Sequence, residues 1–228
     1  MSLRNSAALL LSSAIFLVTP AQPARYSVQS VLEKWAPYPL DGQTAISVLI
    51  DPVDVAVDGA GNLYVLTSTP TCVLRIGEDG IIRVIAGGGA AVPANGVRGL
   101  DASLETVENI AVDQNGILYM SDSGRSQIYR LGLDGVLTIY AGTGQSGFSG
   151  DGGPATAAAF LMPGDIALDP QGNLYVADYG NCRIRKITKA TGVIQTIAGN
   201  GSSAFSGDGL PATATGMLPE YITVDGAG

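Results

Sequence analysis

Short apolar runs alternate with glycine-containing turn signals along most of the chain. Between Asp165 and Ala198 four such runs follow one another, and they are Asp165–Leu168, Leu174–Ala177, Arg183–Thr188 and Val193–Ala198. The separators DPQGN, DYGNC and KATG favour tight hairpins, so the pattern predicts a four-stranded up-and-down antiparallel sheet. Runs such as IAVD, LYVAD and TIYAG are apolar on both sides of a strand, which predicts that both faces of the sheet are buried.

The same pattern recurs at a regular spacing. The aspartates that end the first run of each unit stand at 58, 113, 169 and 225, so the steps are 55, 56 and 56 residues. A second phrase also recurs, as FSGDGGPATA from Phe148 and FSGDGLPATA from Phe205, with weaker copies at Asn95-Gly96 and Asp41-Gly42. Sheets buried on both faces and repeated in series indicate an all-β fold of the β-propeller kind, with blades packed face to face around a channel.

The residues of the third unit carry a family resemblance. IALD, GNLYVAD, GNxRIRKI and TIAG, between Ile166 and Gly199, resemble the NHL repeat. The second unit matches well, with Asp122 to Arg125 in place of Asp178 to Asn181, whereas the first unit departs and reads LTSTPTC. The resemblance covers about Tyr26 to Gly228 and implies a propeller, commonly six-bladed, without implying one activity.

The N-terminus is typical of a secretory signal peptide. A cation at Arg4 precedes an apolar run from Ala7 to Val18, and small residues and prolines follow. A run of about 12 apolar residues is too short to span a bilayer, so we expect cleavage and export, to the periplasm or the extracellular space.

The repeat map predicts the organisation of the whole chain. The run from Tyr26 to Val31 resembles an outermost strand without its own blade, and we expect it to close the ring by joining the last blade. Six units of about 56 residues would need roughly 340, so we expect the chain to be the N-terminal part of a longer protein with about three blades here. The predicted boundaries are 1–24 for the signal peptide, 25–51 for the closing strand and connection, 52–107, 108–162 and 163–218 for three blade repeats, and 219–228 for the start of a fourth.

Composition excludes several functions. The formal net charge of -8 disfavours nucleic acid as a partner, and no membrane insertion of the mature chain is predicted. The chain has no histidine, so its residues cannot build a Ser-His-Asp or Cys-His site or a histidine-bound metal centre. Cys72 and Cys182 fall two units apart, and we expect no disulfide between them.

The loops between second and third strands share one face of the propeller with the blade connections, and this face carries the candidate ligand contacts. These are Asp122, Arg125, Asp178, Asn181, Arg183, Asp151 and Asp208. The structural alternative is hydrogen bonding inside the protein, including turn formation by Asp151 and Asp208. No catalytic residue, metal ligand or cofactor is predicted, although calcium held by carboxylates and amides of converging loops is an alternative.

Three functions remain open at this stage. The leading hypothesis is an exported, non-catalytic scaffold that binds a protein or a small-molecule or carbohydrate ligand. The alternative is a propeller hydrolase or lyase, similar to gluconolactonases, whose divalent metal site is completed by further blades. The third is a module of a larger surface or sensor protein.

We expect this chain on its own to self-associate, because an open array of blades exposes an apolar face at each end and an unpaired strand edge. Static light scattering across a concentration series measures this. A monodisperse monomer at all concentrations would contradict the expectation.

Overall fold

Three antiparallel sheets of four strands each make up most of the part of the chain that the computed structural model describes, which is residues 7–10, 15–18, 41–45 and 50–225. Strands β1 (Ala7–Leu10) and β2 (Ile15–Val18) form a separate antiparallel pair. The predicted closing strand from Tyr26 to Val31 lies outside the described residues. Export and the signal peptide stay predictions.

Each large sheet is one repeat unit, with its strands in chain order. The first contains β3 (Pro52–Val57), β4 (Leu63–Ser68), β5 (Thr71–Ile76) and β6 (Ile82–Gly87). The second contains β7 (Val107–Val112), β8 (Leu118–Asp122), β9 (Gln127–Leu131) and β10 (Leu137–Ala141). The third contains β11 (Pro163–Leu168), β12 (Leu174–Asp178), β13 (Arg183–Ile187) and β14 (Ile194–Ala198).

The aspartates with the regular spacing form the first hairpin of each sheet. Asp113 Oδ1 accepts hydrogen bonds from the backbone N–H groups of Asn115 (2.9 Å) and Ile117 (3.0 Å). Gly116 completes the turn with a φ of 85°, which a residue with a Cβ rarely adopts. Asp58 and its following residues repeat these contacts in the first sheet. The periodic aspartates are therefore turn-forming residues of the first hairpins.

Apolar side chains fill the two spaces between successive sheets. Leu66, Val73 and Met120 belong to the core between the first and second sheets, where all three are fully buried. Phe160 and Val176 belong to the core between the second and third. Both faces of the second sheet are therefore covered, which confirms for this unit the prediction from its apolar runs.

A side-chain oxygen on the first strand of each sheet accepts a hydrogen bond from the backbone of the next repeat unit, which is the first strand of the next sheet in two cases and the segment at Ile222 in the third. The donors and acceptors are Ile110 N–H to Asp54 Oδ2 (2.7 Å), Ile166 N–H to Asn109 Oδ1 (3.0 Å) and Ile222 N–H to Asp165 Oδ2 (2.7 Å). We call these contacts the inner-strand bridges. The pairing register of each first strand shifts beside the acceptor, as at a β-bulge, and a bulge re-aims a side chain toward a neighbour. The bridges therefore fix the first strands side by side.

The second repeated phrase covers the outer edge of each sheet. Backbone N–H groups of Gly42, Gly96 and Gly152 donate to carbonyl oxygens on β6, β10 and β14 respectively, at 2.8–2.9 Å. We call these contacts the outer clasps, and they protect edges that would otherwise expose unpaired backbone groups.

The clasp side chains reach beyond their own turns. Asp41 Oδ1 accepts from Val84 N–H (3.0 Å) and Asn95 Oδ1 accepts from Ile139 N–H (2.7 Å). The expectation that the equivalent Asp151 bonds its own turn is wrong, since its carboxylate accepts from Arg185 of the next sheet. The connection that contains Asp151 lies against the third sheet, and a contact within its own turn would not hold it there, whereas the bond to Arg185, 34 residues away, does.

Two smaller expectations agree with the structure. A short 3-10 turn spans Ala155–Ala157 directly after Pro154, with Phe160 buried behind it. The two cysteines, both within the described residues, are not joined by a disulfide, as their positions two units apart predict.

Replacement of Asp54 by Asn should flatten the pH dependence of stability. Burial raises the pKa of Asp54 to about 6, against hydrogen bonds from Ile110 and Val55 that lower it. Because the folded pKa lies above the ordinary value, the stability contributed by the protonated form is full below about pH 4 and is lost as the pH rises through 6. In the Asp54→Asn variant, the amide oxygen keeps the bridge, as Asn109 does in the next unit.

The measurement is the free energy of unfolding in urea at pH 4 and pH 7. The change between the two pH values should be smaller in Asp54→Asn than in the parent by about 2 kcal/mol. Asp208→Asn, which removes the same charge from an exposed loop, is the control and should match the parent. Parallel pH profiles for Asp54→Asn and the parent would contradict the prediction.

Candidate functional site

The loop between β8 and β9 is held by a buried aspartate. Asp122 is fully buried, and its carboxylate accepts from Thr106 Oγ1 (2.6 Å) and from both the backbone and the guanidinium of Arg125 (2.8 and 3.0 Å). The Arg125 side chain also donates to Thr106 (2.8 Å) and is only about a quarter exposed. The structure therefore brings Asp122 and Arg125 together, in contacts that join the loop to the preceding connection.

The equivalent aspartate of the third sheet has a larger set of partners. Asp178 is fully buried and accepts from Leu161 N–H (2.9 Å), from Asn181 Nδ2 (2.9 Å to each oxygen) and from Arg185 Nη1 (3.1 Å). Burial raises the pKa of Asp178, and the hydrogen bonds from Leu161, Asn181 and Arg185 oppose that rise. Asn181 also donates to Gly147 O (2.7 Å), so the loop and the connection are tied at this point.

Arg185 is the centre of this arrangement and has no exposed surface. Its guanidinium donates to Asp151 (2.9 and 3.2 Å), Asp178 and the carbonyl oxygens of Ser149 (2.9 Å) and Ala159 (3.4 Å). A buried cation requires this kind of complete partnership. Through these bonds Arg185 holds the part of the connection at residues 148–160 against the third sheet.

The first sheet departs from this pattern, as its sequence predicts. Thr67 occupies the position of Asp122 and Asp178, and its hydroxyl donates to Pro70 O (2.6 Å) and accepts from Cys72 N–H (3.3 Å). A neutral hydroxyl replaces the carboxylate here, so this loop carries no buried ion pair.

A cavity of about 460 Å³ lies at the outer rim of the third sheet, between the connections at 142–162 and 199–218. Its lining includes Phe148, Asp151, Arg183, Gln195, Thr196 and Asn200. The volume falls within the range of about 300–1,000 Å³ that is usual for ligand pockets. Two predicted candidates, Asp151 and Arg183, thus face one space.

The cavity combines an aromatic ring with groups of different charge. The guanidinium carbon of Arg183 lies 3.9 Å from the centre of the Phe148 ring, which is 43% exposed. The Oγ1 of Thr196 is shielded from solvent and has no hydrogen-bond partner among the described residues. Asp208, the remaining candidate, is exposed on the next connection and does not line the cavity.

A second cavity, of about 350 Å³, lies on the opposite face between the first hairpins. Asp113 and Asp169 line it together with Lys189, whose Nζ is 3.6 Å from Asp113 Oδ2. Burial alone would raise the pKa of Asp169, but hydrogen bonds from Asn173 and Tyr175 lower it. Both carboxylates already accept hydrogen bonds from the backbone of their own hairpins.

Sequence reasoning missed Arg185, Gln195 and Thr196. Nothing in the pattern separates Arg185 from the neighbouring cations of its strand, because only the fold shows which of them is buried. The acceptors of the inner-strand bridges were also missed, although their spacing, at 54, 109 and 165, was visible. In residues 41–45 and 50–225, no three Cys, Asp or Glu residues are grouped closely enough to hold a metal ion. No helix within the described residues is long and apolar enough to cross a membrane.

Comparison with known proteins agrees with the repeat. The NHL repeat family matches residues 160–187. Teneurin-1 of Mus musculus is 33% identical over 159 residues, which cover 60% of this chain and 6% of that protein. The chain therefore spans a small fraction of the length of this relative.

Two solved bacterial structures show a similar fold. A protein of unknown function from Bacteroides thetaiotaomicron has a TM-score of 0.57 at 23% identity, over 76% of this chain and 42% of that one. An auxiliary nutrient binding protein from Bacteroides ovatus has a TM-score of 0.52 at 16% identity, over 75% and 42%. At these identities the likeness concerns the fold alone.

Four-stranded antiparallel sheets that pack face to face, with their first strands side by side, are the blades of a β-propeller. The family match within the third sheet and the fixed period make the assignment specific. The chain therefore carries an NHL repeat, at residues 160–187, within an array of β-propeller blades.

Replacement of Arg185 by Met should destabilise the chain strongly. The variant keeps a long side chain but leaves Asp178 buried without its ion-pair partner, which costs about 3–5 kcal/mol. The measurement is urea unfolding followed by circular dichroism. The matched control is Arg83→Met, which breaks an exposed ion pair with Asp79 and should cost at most about 1 kcal/mol.

A double variant separates charge from packing. Arg185→Met with Asp178→Asn should lose less stability than Arg185→Met alone, because the remaining buried group is neutral. Equal losses for Arg185→Met and Arg83→Met would show that the buried network does not hold the connection.

Proposed function

We propose that this chain is an exported NHL-repeat propeller that binds a ligand at the rim of its third blade without transforming it. The observation that carries the proposal is the cavity between the two connections, in which an aromatic ring, a guanidinium and neutral polar groups meet. Ligand sites commonly combine aromatic surface with a few placed polar groups.

The charge arrangement of the cavity favours binding over acid–base chemistry. Asp151 is the single carboxylate residue in its lining, and Asp151 Oδ1 accepts two hydrogen bonds from buried Arg185. General acid–base catalysis of hydrolysis commonly uses two titratable groups, whereas this lining provides one carboxylate that is already engaged in an ion pair. The lining supplies groups that hold and orient a ligand.

Two further observations support an exported binding protein. The signal-like N-terminus predicts export, and the chain has no histidine.

The test is a ligand screen with a variant that fills the cavity. Soluble sugars, sugar acids, amino acids and dicarboxylates are added singly, and the thermal midpoint of unfolding is measured. A ligand at a hundredfold excess over its Kd stabilises the folded chain by roughly 2.7 kcal/mol, which raises the midpoint by several degrees. Gln195→Trp, which places an indole in the cavity, should abolish this shift.

Leu133→Trp is the control, because it introduces the same side chain at an exposed hairpin on the opposite face. This variant should keep the full ligand shift. A shift that survives in Gln195→Trp would place binding elsewhere, and a silent screen would contradict the proposed function.

A further inference from the structure

We propose that the cavity binds the carboxylate of a small polyhydroxylated ligand, a sugar acid, with Arg183 as the carboxylate-binding residue. The inference rests on the proposed function, since it names the class of ligand for the same cavity.

Two charged side chains line this cavity, Asp151 and Arg183, and they differ in their partners inside the protein. The carboxylate of Asp151 is paired with Arg185, and that arginine is fully buried. Arg183 forms no ion pair with a carboxylate among the described residues. A guanidinium beside a cavity, without a protein counter-ion, favours an anionic ligand.

Arg183 is held in place by the backbone. Its Nη1 donates to Asn181 O (2.8 Å) and its Nη2 to Asn200 O (3.0 Å), while its flat face lies on Phe148. Gly201 leaves room for it, because a Cβ at that position would lie 2.7 Å from both Nη atoms. Two of the five N–H groups are used in this way, which orients the fork and leaves donors for a ligand.

Comparison with the second blade shows that this contact does not need a charge. Gln127 occupies the position of Arg183 on β9, and its Nε2 donates to Gly142 O (3.2 Å) of the adjoining connection. A neutral amide thus makes the corresponding bond to the backbone. The cation in the third blade is therefore additional to what the fold requires, and the cavity lies beside it.

Neutral groups near Arg183 suit hydroxyl groups on the same ligand. Thr196 Oγ1 is shielded and without a partner, and a shielded hydroxyl gains most from a ligand that completes its hydrogen bond. Gln195 is exposed and lines the same space, and the Phe148 ring offers apolar surface. A compact molecule with one carboxylate, several hydroxyls and a carbon skeleton fits this combination.

The number of donors favours a carboxylate over a phosphate. One guanidinium balances a single negative charge, and its fork matches the two oxygens of a carboxylate. Phosphate sites in proteins commonly gather several backbone N–H groups or more than one cation. The nearby Gly152 N–H already donates to Ile194 O, so it is engaged in the outer clasp.

The test compares D-galacturonate with D-galactose by isothermal titration calorimetry at low ionic strength and pH 7. The two sugars differ by a carboxylate in place of a hydroxymethyl group. We expect galacturonate to bind about tenfold more tightly than galactose. A charge-assisted hydrogen bond contributes enough binding free energy for a difference of this size. In Arg183→Gln, which copies the second blade, the two affinities should become about equal while that for galactose stays unchanged.

Two variants and one competitor make the result specific. Arg98→Gln removes the same charge from an exposed position and should keep the preference for galacturonate. Arg183→Lys keeps the charge without the fork and should keep only part of the preference. Inorganic phosphate, titrated alone, should bind more weakly than galacturonate.

The outcomes separate this inference from the proposed function. Equal binding of both sugars by the parent, tighter binding of phosphate, or a preference that persists in Arg183→Gln would each overturn the carboxylate assignment. Absence of galacturonate binding would overturn it as well. In all these cases the proposed function stands if another ligand raises the thermal midpoint of the parent chain and Gln195→Trp abolishes that rise. The proposed function falls if no ligand in the screen raises the midpoint.

Discussion

The structure depends on the requirement that every blade be covered on both faces and at both edges. A four-stranded sheet with apolar residues on each face cannot be stable in water alone, so each blade needs its neighbours. The inner-strand bridges set the distance between first strands, and the interblade cores fill the space behind them. Because each blade needs an equivalent neighbour, the same pattern of apolar runs and turns repeats along the chain with a period of about 56 residues.

The outer clasps extend the same principle to the edges. Each connection pairs its backbone with the outer strand of the following blade before it turns inward to start that blade. The repeated phrase is therefore used to fasten the connection, and its small residues and glycines allow the close approach. In the second and third blades, buried aspartates fix the loop between the second and third strands against the connection. The connection between blades thus both covers the outer edge of the following blade and fixes the position of that loop.

The candidate site arises where the repeat is least regular. The first two blades have Leu74 and Tyr129 at the position of Arg185, and Cys72 and Gln127 at the position of Arg183. In the third blade both positions are arginine, one fully buried and one beside the cavity. The buried arginine pairs with Asp151 and Asp178 and holds the connection, while the other arginine has no carboxylate partner among the described residues. A scaffold built from equivalent units can in this way acquire one distinctive surface.

Fold class, unit length, strand order and the shared face of the loops and connections were all predictable from the pattern of residues along the chain. These follow from local information, since apolar runs and turn signals act over a few residues and their repetition fixes the array. The partners of the polar residues, in contrast, depend on how the chain packs. Asp151 and Asp178 meet Arg185 only because the connection folds back on the third blade, and Thr196 lines an open cavity only because two connections flank it. Such contacts join residues far apart in the chain, and burial, which no local pattern encodes, decides which charges are paired and which remain available to a ligand.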